Sequence, residues 1–384
     1  MSAIVRLPGG SRYTLCGGPG HPSPAAPFTS RVCYAAAHVV ADPDADNVPG
    51  APAVLDWDAT LAFRHHLWRL GFGVADAMDT AQRGMGLDYA ATRELIRRSA
   101  TESRSIGGAL AAGVGTDQLP AGEPADLATI AAAYREQLDD VLDAGATPVL
   151  MGSRQLAATA RHADDYLSVY GGLVRHSSEP VMLHWLGDMF DPALHGYWGG
   201  ADLDVATGTV LDLLRAHPGR ISGIKLSLLD AEREVDLRRR LPAGVRLYTG
   251  DDFHYPELIK GDDAGHSDAL LGILAAIAPV AAVALAALDD KDLTRYDAVL
   301  APTVPLSRHL FGAPTPGYRT GIVFLSWLAG HQGHFVMVGG LQAQRSARHL
   351  ATALVLADEA GLLPDAELAA ARARAFFTVA GVEQ

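Results

Sequence analysis

Short apolar runs recur along the chain, each followed by a longer stretch in which apolar residues return every three or four positions. The first pattern reads as a strand buried on both faces and the second as an amphipathic helix. The runs lie at residues 31–37, 72–78, 108–114, 147–151, 180–185, 221–226, 245–249 and 265–271. Between them helices are predicted over 55–70, capped by Asp56 or Asp58, and over 88–102, 127–144, 160–176, 204–217, 231–241 and 255–260, with a last one over 275–288. Eight strand–helix units in succession predict an α/β protein, a (β/α)8 TIM barrel. A doubly wound open sheet is the main alternative, but no G-x-G-x-x-G follows the first strand.

Ahead of these units, residues 4–7 and 12–15 flank Pro8-Gly9-Gly10-Ser11 and predict a small hairpin, followed by a Gly/Pro-rich linker over 17–27. The expected organisation is therefore hairpin and linker over 1–30, barrel over 31–290 and a helical C-terminal extension over 291–384. Helices in that extension are expected at 320–328, 345–360 and 364–377, packed outside the barrel or against another subunit.

Composition narrows the function classes. Apolar residues make up 49% of the 384-residue chain, enough for a sizeable core. A net charge of −13 argues against nucleic acid or an anionic membrane as partner. Cys16 and Cys33 form no metal pattern and no disulfide framework, and the N-terminus has no apolar signal core, so a cytoplasmic location is expected. Residues 270–288 carry no charge and have bilayer-spanning length. Pro279 interrupts them and no aromatic or basic anchors flank them, so a strand end running into a buried helix is expected instead.

The candidate chemistry begins with a lysine. The chain has three lysines, Lys225, Lys260 and Lys291, among 31 basic residues. Lys225 sits near the end of the apolar run Ile-Ser-Gly-Ile-Lys-Leu-Ser. A chain that otherwise uses arginine has there an amine able to lose its proton, and desolvation would make it a nucleophile toward carbonyls. In a TIM barrel the chemistry gathers where strands end. The residues at those ends are His38, Asp79, Thr80, Thr116, Asp117, Ser153, Arg154, His184, Lys225, Asp251, Asp252 and His254. So many polar, titratable groups at positions inferred from apolar runs alone point to an enzyme.

Several stretches also resemble the dihydrodipicolinate synthase/N-acetylneuraminate lyase superfamily of class I aldolases, and an uncharacterised bacterial branch of it in particular. Ile221-Ser222-Gly223-Ile224-Lys225 resembles the strand that bears the Schiff-base lysine, and Leu247-Tyr248-Thr249-Gly250-Asp251-Asp252 the segment after it. Gly113-Val114-Gly115-Thr116 is similar to the third-strand G-x-G, Glu179 to His184 to the fifth strand, and Pro314-Thr315-Pro316 to Gly330 to the C-terminal helix. The resemblance covers about residues 30–345 with motif order preserved. Two departures stand out. His184 occupies the place of a proton-relaying tyrosine. Met78-Asp79-Thr80-Ala81-Gln82 replaces a threonine motif that binds the carboxylate of a 2-oxo acid; a carboxylate at Asp79 would repel such a substrate and suit sugar hydroxyls.

The resemblance implies a carbon–carbon or carbon–oxygen lyase of the aldolase or dehydratase type. Lys225 would form a Schiff base with a keto acid or keto sugar, without cofactor or metal, and His184 would shuttle protons. Asp79, Thr80, Thr116, Asp251, Asp252 and His38 are the candidate substrate-binding residues, with Asp251 or Asp252 orienting Lys225. A homo-oligomer, dimer or tetramer, is implied, with the C-terminal helices at the interface. Two other readings stand beside this one. A metal-dependent lyase or isomerase would draw ligands for a divalent metal from His38, Asp79, His184, Asp252 and His254. A catalytically silent barrel would bind ligands only. Trp185, Tyr197 and Trp198, with residues 187–191 between them, are a candidate substrate lid.

Overall fold

The computed structural model describes residues 3–18, 20, 27–120 and 123–384. Most of the expected Gly/Pro linker, at 19 and 21–26, lies outside the described residues. Two short strands, β1 (Ile4–Arg6) and β2 (Arg12–Thr14), pair antiparallel as the expected hairpin. Eight parallel strands then close a barrel: β3 (Cys33–Ala36), β4 (Gly73–Asp76), β5 (Leu110–Val114), β6 (Thr147–Leu150), β7 (Val181–Leu186), β8 (Ile221–Ser227), β9 (Arg246–Thr249) and β10 (Asp268–Leu271). Each strand pairs with its sequence neighbours and β10 closes on β3. The fold is the (β/α)8 TIM barrel expected from the apolar runs.

Helices α1 (Trp57–Arg69), α2 (Tyr89–Ile106), α3 (Leu127–Ala144), α4 (Arg154–Thr159), α5 (Ala163–His176), α6 (Leu203–Ala216), α7 (Ala231–Arg240), α8 (Tyr255–Lys260) and α9 (Leu274–Asp289) surround it. Several starts are set by a side-chain oxygen that accepts an otherwise unpaired backbone N–H, as at Asp56, Asp88, Asp126, Ser153 and Asp230. The uncharged run 270–288 divides between the end of β10 and α9. No described helix is long and apolar enough to cross a membrane.

Both faces of the strands are buried, which is why they read as continuous apolar runs. Inside the barrel Ala75, Ala111, Val149, Met182 and Leu270 form a core of their own with Tyr248. Below the mouth, Arg64 of α1 grips Asp76 at the end of β4 through two contacts, Nε–Oδ2 at 2.9 Å and Nη2–Oδ1 at 2.6 Å. Both side chains are fully buried, so losing either partner would strand a charge in the core.

After α9 the chain is richer in helix than expected. Helices α10 (Leu293–Leu300) and α11 (Thr303–Phe311) precede the three anticipated ones, α12 (Tyr318–Leu328), α13 (Ala347–Glu359) and α14 (Ala366–Val379). Asp358 of α13 accepts hydrogen bonds from Tyr13 Oη and from the N–H groups of Cys16 and Gly17, and Arg374 of α14 donates to Ile4 O. The hairpin is thus fastened to the C-terminal helices. These helices do more than coat the barrel, because α12 begins at its mouth.

Candidate active site

Strand β8 is the centre of the site. Its residues alternate in direction, so Gly223, Lys225 and Ser227 share the inward face. Neighbouring strands set what surrounds the lysine: Lys225 pairs in register with His184 on β7 and Tyr248 on β9. Two glycines on and beside β8 have no room for a side chain. A Cβ at Gly223 would lie 2.6 Å from Tyr248 Cε2. One at Gly250 would lie 2.7 Å from Leu226 O and 2.9 Å from Lys225 Cε. The Gly of the Gly-Asp-Asp segment is therefore a steric requirement of the end of β8, with Ser227 Oγ the nearest atom a Cβ would meet.

Lys225 is 7% exposed and opens into a small chamber of about 10 Å³, the size of one water site. Asp79, Thr80, Asp252, Ser227, Phe190 and Tyr318 are among its walls. Among the described residues the Lys225 amine has neither a hydrogen bond nor an ion pair. The other lysines sit differently: Lys260 pairs with Asp297 at 2.8 Å, and Lys291 is exposed. Burial lowers the Lys225 pKa below the usual lysine value, with Asp79 and Asp252 pulling it partly back. Burial pushes the Asp252 carboxyl up to about 7, even though its Oδ1 accepts the Ile273 N–H at 2.9 Å.

His184 is buried, and burial together with the nearby Lys225 holds its pKa well below the usual histidine value. Its Nε2 lies 3.2 Å from Ser227 Oγ, and its Nδ1 has no partner among the described residues. His184 does not itself line the chamber, so Ser227 is its link to that space. Thr80 Oγ1 lies 2.9 Å from Tyr318 Oη.

A second, larger cavity of about 830 Å³ meets the chamber at Asp79, Leu186 and Phe190. Thr116 lies on its wall, 2.7 Å from Ser153 Oγ and 2.9 Å from Gln155 Oε1. Its cations are engaged. Arg83 pairs with Asp117 at 2.7 Å and Arg154 with Asp191 at 2.6 Å. Arg319 donates to the carbonyls of Asp79 and Pro316 and stands 3.7 Å from Asp79 Oδ1.

The structure thus brings Lys225, Asp79, Thr80 and Asp252 together, puts His184 one residue behind them and Thr116 in the adjoining cavity. Asp251 and His38 border neither space. Asp251 accepts the N–H groups of Phe253 and His254 and sits 2.9 Å from His254 Nδ1, closing its own turn. His38 is buried against Phe63, with Nε2 2.9 Å from Gln332 Oε1. Among the described residues no group of three His, Cys, Asp or Glu side chains is placed to hold a metal ion. Tyr318, Ser227 and Phe311 are chamber residues that pattern reasoning did not single out; Phe190 lay within the candidate lid. For Ser227 the signal was available, since it lies two residues beyond Lys225 on the same strand face.

The closed parallel barrel is the fold of the dihydrodipicolinate synthase proteins. The prophage protein YagE from E. coli K12, of the dihydrodipicolinic acid synthase family and solved in complex with pyruvate, aligns with a TM-score of 0.68 at 16% identity, over 87% of this chain and 99% of its own. Dihydrodipicolinate synthase from Aquifex aeolicus aligns with a TM-score of 0.66 at 11% identity, over 87% and 99%. That from Bacteroides thetaiotaomicron gives 0.64 at 13% identity, over 84% and 98%. The chain belongs to the family described as "Protein of unknown function (DUF993)", which it matches over residues 8–382. No curated protein matches it.

Proposed function

We propose that the protein is a class I lyase of the aldolase or dehydratase type, in which the amine of Lys225 condenses with a substrate ketone and the resulting iminium draws electrons from an adjacent C–C or C–O bond. The observation that carries this reading is the buried Lys225 amine without a hydrogen bond or ion pair among the described residues. Burial disfavours an ammonium in that position and Asp79 and Asp252 offset this only in part, whereas a neutral amine is a nucleophile. Asp252 is the nearby carboxyl suited to hold the proton that the lysine gives up, because its pKa of about 7 lets it exchange protons near neutrality. His184 takes part through Ser227.

Within the expected keto acid or keto sugar class, the site favours a neutral hydroxyketone. Asp79 and Asp252 face the amine, and the three arginines of the adjoining cavity are all engaged. The chamber admits little more than a water, so the Phe190 or Leu186 side chain must swing aside for a ketone to reach the lysine.

Borohydride reduction in the presence of dihydroxyacetone or pyruvate, followed by peptide mass mapping, tests the assignment. The expected result is an adduct on Lys225, heavier labelling with dihydroxyacetone, and none in Lys225→Met. Turnover of a ketone substrate with no trapped adduct would remove the Schiff base.

A further inference from the structure

We propose that Tyr318, the first residue of α12, is the acid–base group of the lysine chemistry, exchanging protons with the reacting oxygen through the hydroxyl of Thr80. This rests on the condensation of Lys225 with a ketone proposed above. Tyr318 and Thr80 both line the chamber that holds the amine, and their hydroxyls are 2.9 Å apart. The phenol is held from several sides. Its ring stacks on Phe311 with centroids 4.3 Å apart and planes 17° from parallel. The neighbouring Arg319 is anchored on the carbonyls of Asp79 and Pro316, which fixes the start of α12 against the Asp79–Thr80 turn. Burial holds the Tyr318 pKa above the usual tyrosine value, and the Arg319 guanidinium, 4.9 Å from the centre of the ring, works against that rise. Tyr318 is the one phenol among the chamber's described walls.

The proton balance closes with these groups alone. In the addition, the Nζ–C bond forms and the carbonyl π pair moves to oxygen. That oxygen takes the Thr80 proton, Thr80 takes the Tyr318 proton, and the phenolate regains one from the adduct nitrogen. In the dehydration, the C–O bond breaks, the nitrogen lone pair makes the iminium, and the departing hydroxyl leaves as water with a proton from the same relay. A phenolate now faces a cationic iminium. It then accepts the proton of a substrate hydroxyl as the neighbouring C–C bond breaks and its electrons flow into the iminium. The products are a neutral enamine, an aldehyde and a restored Tyr318.

The test compares wild type with Tyr318→Phe, Thr80→Val and Thr80→Ser, using dihydroxyacetone as probe. Two quantities are followed, the rate of borohydride-trappable adduct on Lys225 and the probe concentration for half-maximal trapping. Tyr318→Phe keeps the ring stacked on Phe311, and thermal melts confirm that each variant is folded. The relay predicts an adduct rate about 100-fold slower in Tyr318→Phe and in Thr80→Val. It also predicts an unchanged half-saturating concentration, recovery in Thr80→Ser, and no further loss in the double variant. Normal rates in a folded Tyr318→Phe would overturn the relay while leaving the Schiff base standing. Additive losses in the double variant would overturn the coupling of the two hydroxyls. Absence of an adduct in wild type with either ketone would overturn the Schiff base and the relay together.

Discussion

Replacing Lys225 by Met separates a catalytic lysine from a structural one. Methionine keeps most of the aliphatic volume and removes the amine, so packing against Gly250 and Tyr248 is retained. A lysine that served the fold would have a partner to lose; this one has none among the described residues. A buried polar group without a partner costs about 1–3 kcal/mol, and removing it should return that amount. Unfolding entropy of about 2.1 cal/mol/K per residue amounts to roughly 0.8 kcal/mol/K for a chain of this length, so the melting temperature should rise by about 1–4 °C. The effect should depend on pH in a set direction. The folded pKa of Lys225 lies below that of an unfolded lysine. Between those two values the unfolded chain binds a proton that the folded chain does not, so wild-type stability rises with pH there. The advantage of Lys225→Met should therefore be largest at neutral pH and shrink toward pH 10. Calorimetric melts of both proteins between pH 7 and 9.5, with borohydride trapping alongside, measure this. A variant that melts more than about 1 °C below wild type throughout would show that the amine supports the fold, and would refute the reasoning.

Gly250→Ala should cost about 1–3 kcal/mol of stability and slow adduct formation on Lys225, because the new methyl meets Ser227 Oγ, the backbone oxygen of Leu226 and the lysine Cε, and the backbone oxygen cannot move away. Urea titration and trapping read both effects, and wild-type values in both would count against the steric role of this glycine. Glu234 of α7 is buried, its oxygens accepting from Ser267 Oγ at 2.7 Å and Thr249 Oγ1 at 2.9 Å, and burial pushes its pKa up to about 8. From pH 4.5 to about 8 the folded state therefore keeps a proton that the unfolded state sheds, and stability falls with rising pH by about 1.4 kcal/mol per unit. Glu234→Gln should remove that slope; parallel pH–stability profiles for the two proteins would show that this carboxyl is ionised throughout.

The barrel was legible because each strand is apolar on both faces and its helix carries a separate period, so eight repeats announced themselves without tertiary information. Lys225 was legible as a rare residue in such a strand, and its pairing with His184 follows from their being on consecutive strands. Helices α10 and α11 were harder to see. They are short, Pro302 and Pro305 fall within or beside α11, and their burial depends on what they dock against. The start of α12 was expected at residue 320, and the structure begins it at Tyr318, so the two residues nearest the chamber fell in presumed loop. No local pattern reports that a side chain so far along the chain reaches Thr80. The separation of Asp251 from Asp252 was equally invisible, because adjacent acids in a turn differ only in which one the turn uses for its own N–H groups.

The fastening of α12 at the mouth has a consequence for the newly made chain. The strands through β8 emerge first, and on the proposed lysine chemistry an amine already nucleophilic at that stage would meet every carbonyl in its surroundings. Tyr318 and Phe311 come from well beyond that strand, and they both roof the chamber and sit against the Thr80 turn. On the proposed lysine chemistry, folding order would then work as a safeguard: Tyr318 and Phe311 complete the desolvation that makes the amine nucleophilic, and they join the chamber only when the C-terminal helices have packed.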